Sequence, residues 1–117
     1  MPTDEKCALV KNEKELTRIL KEERSVFVLF YASWCAFSRK FLPEFIENAG
    51  RSDLPHVRVL VDDNEALAEK YSVEVYPTII YFQNGELARR LDGEPMRGLH
   101  KAQLKDFVGS CSVKKKK

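Results

Sequence analysis

The stretch SVFVLFYASWCAFSRKFLP, Ser25 to Pro43, decides how the rest of the chain is read. It opens on an almost unbroken apolar run, Val26 to Tyr31, rich in Val and Phe. A run without polar alternation reads as a strand buried on both faces, in the middle of a sheet. It breaks at Ala32-Ser33-Trp34 and delivers Cys35. Beyond Cys35 the apolar residues Phe37, Phe41, Leu42, Phe45 and Ile46 recur at helical spacing. Pro43 falls inside that pattern, where it removes a backbone hydrogen bond and bends the helix. Gly50 is the expected stop, after a helix from Cys35 to about Ala49. Cys35 therefore lies where a central strand hands over to a helix N-terminus. The first helical N–H groups lack intrahelical partners and the helix dipole is positive there, and both favour a thiolate. A cysteine so placed is a candidate nucleophile rather than core filler.

Outward from this unit the chain, 117 residues in all, reads as one domain spanning 1–117, with residues 1–6 and 112–117 loose. Cys7-Ala8-Leu9-Val10 is a short first strand. Asn12 caps a helix from Glu13 to about Glu22, with Leu16, Ile19 and Leu20 on one face. Asp53-Leu54-Pro55 is a turn and Val57 to Val61 a third strand. Asn64 caps a short helix from Glu65 to about Tyr71. Thr78–Phe82 and Leu87–Leu91 flank Asn84-Gly85, the strongest short-range hairpin signal. Asp92-Gly93-Glu94-Pro95 is a loop. A last helix runs from about Leu99 to Val108 and Gly109 ends it. The order is that of an α/β domain, a central mixed β-sheet flanked by α-helices on both faces.

Composition narrows the function classes. A net charge of +2 is too small to imply nucleic acid. No apolar stretch reaches the length of a membrane span. The polar start, Met1 to Lys6, has no apolar segment of a secretion signal, so the expected location is the cytoplasm. Cys7, Cys35 and Cys111 share no short spacing and none neighbours His56 or His100, which argues against zinc. No metal and no cofactor are expected. Asp62-Asp63 reads as a solvated loop and Lys114–Lys117 as a disordered, solubilising tail.

The residues Phe30-Tyr31-Ala32-Ser33-Trp34-Cys35, with Pro43 beyond them, resemble the active-site stretch of the thioredoxin superfamily. The resemblance runs roughly from Ala8 to Val108 and implies the thioredoxin fold. Tyr76-Pro77-Thr78 is similar to the family's second signature, a loop whose proline is cis and which packs beside the active cysteine. There the backbone of Tyr76 would pair with an extended substrate peptide. Gly93 matches a family glycine that lets substrate approach, in a loop longer than usual. Trp34, Ala36, Phe37, Tyr76, Pro77 and Gly93 are then the substrate-binding residues, and Cys35 and Ser38 the catalytic pair.

Two departures shape the chemistry. The family signature is Trp-Cys-x-x-Cys, but this chain has Trp34-Cys35-Ala36-Phe37-Ser38. A serine cannot resolve a mixed disulfide on Cys35, so an outside thiol must. The Ser38 hydroxyl, on the same side of the first turn, is expected to donate a hydrogen bond to the thiolate. Many family members also carry a buried acid in the central strand, which helps move the resolving thiol's proton; here that position is Leu29. Both losses fit a monomeric thiol–disulfide oxidoreductase that uses one cysteine, acts on protein or glutathione mixed disulfides and depends on an external thiol reductant. Two alternatives stand beside it. One is a non-catalytic peptide-binding domain. The other follows from Cys35-Ala36-Phe37-Ser38, which is close to the Cys-Gly-Phe-Ser motif of monothiol glutaredoxins and implies an iron–sulfur carrier.

Overall fold

The computed structural model describes residues 7–93 and 98–116, with 112–116 described by backbone alone. The expected loose start at 1–6, the expected loop at Glu94-Pro95 and Lys117 lie outside the described residues.

The chain builds β1 (Cys7–Val10), α1 (Glu13–Glu22), β2 (Ser25–Tyr31), α2 (Ala36–Arg51) and β3 (His56–Leu60). A 3-10 turn at Val61–Asp63 follows, then α3 (Glu65–Lys70), β4 (Thr78–Gln83), β5 (Glu86–Asp92) and α4 (Lys101–Lys116). The strands form one sheet in the order β1-β3-β2-β4-β5. β2 pairs in parallel with β3 and antiparallel with β4, so it is central, and every one of its residues is buried. Its pleat divides the core. Phe27, Leu29 and Tyr31 join Phe41 and Phe45 of α2 and Leu104 and Phe107 of α4 on one face. Val26, Val28 and Phe30 join Leu16 of α1 and Leu67 of α3 on the other. At about 25 cal/mol per Å² of apolar surface, this two-sided burial makes β2 a large contributor to stability. No helix is long and apolar enough to cross a membrane, among the described residues.

Local chemistry explains most element ends. Asn12 Oδ1 accepts from the Glu15 N–H, 2.9 Å away, and caps α1. Asn84 and Gly85 both have positive φ, 55° and 82°, as the mirror-image turn of a two-residue hairpin requires. Other ends differ from expectation. α2 continues through Gly50 to Arg51, and α4 continues through Gly109 to Lys116, over residues expected to be loose. A glycine ends a helix when it turns left-handed, and neither glycine has a positive φ. α4 instead buries Cys111 beyond Gly109, which favours another turn. Leu99 is buried but precedes the helix. Asn64 stands at the N-cap of α3 without capping it; its Nδ2 donates to Leu60 O at 3.1 Å. β3 begins one residue earlier than expected, at His56, and Val61 opens the 3-10 turn.

His56 was not singled out by the sequence, yet it is almost fully buried between Phe27 and Phe45, at ring-centroid distances of 5.0 and 5.1 Å. Its Nδ1 donates to Leu54 O at 2.8 Å, and its Nε2 accepts from Asn48 Nδ2 at 3.0 Å. That pattern fixes a neutral tautomer. Burial pushes its pKa below the usual histidine value, against smaller opposing hydrogen bonds to the Leu54 and Pro55 backbone. The unfolded chain therefore takes up this proton first as pH falls. The stability His56 contributes is complete above its unfolded pKa of about 6.5 and is lost progressively below it. In urea titrations, wild type should lose more stability between about pH 6.5 and 5 than His56→Gln does. Parallel pH curves would show that His56 does not carry the effect.

Candidate functional site

The site forms where β2 ends. Ala32-Ser33-Trp34-Cys35 crosses from the sheet to α2. Cys35 N donates to Ala32 O at 3.2 Å, and Arg39 N donates to Cys35 O at 3.1 Å, which starts the helix. Cys35 is the N-cap residue of α2, with extended backbone. Its thiol is half-buried and donates to the carbonyl of Tyr76 at 3.8 Å. The helix N-terminus and the Tyr76 loop thus face each other across the sulfur.

The Tyr76–Pro77 peptide bond is cis. Thr78 Oγ1 donates to Val75 O at 2.8 Å and closes the loop on itself. Tyr76 is half-buried, and its phenol is held above the usual tyrosine range by burial and, less, by the Glu65 carboxylate. Trp34 is 66% exposed and meets the Tyr76 ring edge-on, with centroids 5.6 Å apart. Ala36 and Phe37 are also on the surface. Phe37, expected among the substrate-binding residues, is exposed, and Phe41, Phe45 and Ala49 form the buried apolar stripe of α2. Gly93 is buried against Pro77, and a Cβ there would stand 2.5 Å from Pro77 O. No side chain fits without moving backbone. Gly98 lies likewise against Phe37, where a Cβ would stand 2.7 Å from the Phe37 Cβ.

Ser38 sits elsewhere in the hydrogen-bond network than expected. It is fully buried, and its Oγ accepts from the Ala32 N–H at 3.2 Å. No hydrogen bond to Cys35 is recorded for it among the described residues. Its hydroxyl ties the end of β2 to the first turn of α2. Asp62 is a second departure. It is exposed, as a solvated segment should be, but its carboxylate also accepts from the Ser33 N–H at 3.0 Å and from the Ser33 hydroxyl. Those two bonds hold its pKa below the usual carboxylate range. No local pattern marks this pair, since Asp62 follows β3 and Ser33 follows β2.

The other two cysteines are poor nucleophiles by position. Cys7 is buried on β1, and burial pushes its thiol up to about 11, against a smaller opposing effect of Arg58. Cys111 is buried on α4. Leu29 is fully buried six positions before Cys35, packed into the α2–α4 face of the core.

Comparison with known proteins agrees with this fold. Residues 7–109 match the Thioredoxin family model. Over 88 residues the chain is 36% identical to protein disulfide-isomerase A5 of Bos taurus, which covers 71% of this chain but 17% of that protein. Protein disulfide-isomerase 1 of Caenorhabditis elegans is 32% identical over 110 residues, 90% of this chain and 22% of that protein. The chain thus spans about a sixth to a fifth of the length of these two relatives. Thioredoxin of Mycoplasma genitalium is 35% identical over 85 residues, which cover 72% of this chain and 83% of that protein. Among solved structures, reduced thioredoxin pre-protein of Schistosoma mansoni superposes with a TM-score of 0.79 at 28% identity, covering 89% of this chain and 96% of that one. Plasmodium falciparum thioredoxin shares the fold with a TM-score of 0.80 at 23% identity, covering 88% of this chain and 97% of that one.

Proposed function

The chain belongs to the thioredoxin family, and from that membership we propose that it exchanges thiols and disulfides through the single nucleophile Cys35. The observation that carries this reading is the pairing of a half-buried Cys35 thiol at a helix start with a buried Ser38 where the family's second cysteine would stand. The Cys35 thiolate attacks one sulfur of a substrate disulfide. A new S–S bond forms to Cys35, the old one breaks, and the other substrate sulfur leaves as a thiolate. Ser38 has no sulfur to attack in turn. An external thiolate must displace Cys35, taking the substrate sulfur into a new disulfide and regenerating the enzyme thiolate. Trp34, Ala36 and Phe37 on one side and Tyr76, Pro77 and Gly93 on the other supply the substrate groove, and protein or glutathione mixed disulfides are the substrate class.

The test is exposure of the folded protein to glutathione disulfide, followed by mass spectrometry of each cysteine. Cys35 should take up glutathione at least about tenfold faster than Cys7 or Cys111, since both are buried and thiolate access controls the rate. The adduct should persist after excess reagent is removed and disappear when dithiothreitol is added. Equal modification of the three cysteines, or release without added thiol, would refute the single-thiol reading.

A further inference from the structure

Ser33, two residues before Cys35, has all three of its polar groups held by side chains from other elements. Its N–H and its hydroxyl both donate to the Asp62 carboxylate, beyond β3. Its carbonyl accepts from Arg39 Nη1, on the first turn of α2, at 2.8 Å. Ala32 on one side is fixed through the Ser38 Oγ, and Cys35 on the other through Ala32 O. The crossing is therefore anchored to two separate parts of the fold, the turn after β3 through Asp62 and the first turn of α2 through Arg39 and Ser38. Bonds to ionised partners are the stronger kind, and Ser33 accepts one cation and donates twice to one anion. All three residues are exposed, so the fold gains little from them. Their geometry converges on the two residues that follow Ser33, namely Trp34, which stands edge-on to Tyr76, and Cys35, whose sulfur meets the Tyr76 carbonyl.

We propose that Asp62 and Arg39 are positioning residues for Cys35, clamping Ser33 so that Trp34 and the thiol are held in register with the Tyr76 loop. The inference rests on the single-thiol reading for its chemistry, but its geometry can be tested apart from it. A misplacement of about 1 Å can cost a reaction about a hundredfold, so a clamp of this kind acts on rate without acting much on stability.

Trp34 is the chain's only tryptophan, which makes its fluorescence a direct report on the clamped segment. The rate of reaction of Cys35 with 5,5′-dithiobis(2-nitrobenzoate), the Trp34 anisotropy and the thermal midpoint would be measured for wild type, Asp62→Ala, Asp62→Asn, Arg39→Ala, Ser33→Ala and the Ser33→Ala/Asp62→Ala pair. Asp62→Ala should slow Cys35 about tenfold and lower the Trp34 anisotropy, with the midpoint nearly unchanged. Arg39→Ala should act in the same direction. Asp62→Asn keeps an acceptor for the Ser33 N–H and should recover part of the rate. The double variant should be no slower than Asp62→Ala, since both changes remove one interaction. An Asp62→Ala protein with wild-type anisotropy and rate overturns the proposal. So does a rate that falls only as far as the folded fraction falls. If Cys35 is inert in wild type, the single-thiol reading fails, whereas the anisotropy still decides whether the clamp exists.

Discussion

Ser38→Cys should convert this chain into a two-thiol protein that reduces insulin disulfides with dithiothreitol at least about a hundredfold faster than the unmodified chain. The expectation rests on a comparison of concentrations. With an outer thiol near 1 mM, an inner thiol of effective molarity as low as about 1 M is favoured about a thousandfold, and well-placed groups reach about 10⁵ M. Position 38 is placed for this. It lies one helical turn into α2 from the N-cap Cys35, is fully buried and faces the end of β2. The substitution exchanges an oxygen for a sulfur at a site whose present duty is one hydrogen bond from the Ala32 N–H, worth about 0.5–1.5 kcal/mol. The variant should therefore fold, and its oxidised form should carry a disulfide between positions 35 and 38. The measurement is insulin turbidity against time, with thiol counting of the oxidised protein. If the unmodified chain already turns over as fast as the variant, the single-thiol account is wrong, and Cys7 or Cys111 would have to reach Cys35 despite burial on β1 and α4.

The fold was legible because β2 is. Seven consecutive buried residues leave no polar alternation, and such a strand belongs in the middle of a sheet with helices on both sides. The hairpin was equally legible, since Asn84-Gly85 states its turn chemistry in two residues. Helix ends were less so. Gly50 and Gly109 look like stops in the sequence, but a glycine stops a helix only where the chain turns left-handed, and tertiary burial decides that. Among the site residues, Cys35, Trp34 and the Tyr76–Pro77 loop could be placed because local motif and strand–helix order bring them together. Helical spacing directs the Ser38 hydroxyl to the thiol. The spacing is right, but the Ala32 N–H at the strand end takes its oxygen. Asp62 and His56 lay beyond local reading. Each acts on partners that only the parallel pairing of β2 and β3 brings near, Ser33 for one and Phe27 for the other.

Leu29→Asp tests what the central strand gives up by lacking an acid. Leu29 is fully buried and is paired in register with Ile79 of β4 and Arg58 of β3. Placing a carboxyl there removes apolar packing and desolvates a polar group, at a cost of about 2–5 kcal/mol in denaturant unfolding. Arg58 is the cation across the pair, but its guanidinium is already engaged, Nε with Cys7 O at 3.2 Å and Nη1 with Tyr31 Oη at 2.9 Å. Burial should then dominate over pairing and raise the new carboxyl's pKa in the folded state. The sign of the pH dependence follows. Above the unfolded value of about 3.9 the unfolded chain loses this proton first, so the destabilisation grows as pH rises. If Arg58 instead abandons its partners and pairs with the carboxylate, the folded pKa falls and the destabilisation shrinks with rising pH. Unfolding at pH 4 and pH 7 distinguishes the two. The functional consequence appears only beside a second thiol. In the Ser38→Cys background, Leu29→Asp should accelerate insulin reduction further, because a buried base can take the proton of the resolving thiol within the core. A double variant that is less stable and no faster than Ser38→Cys alone would mean that proton transfer does not limit the restored cycle.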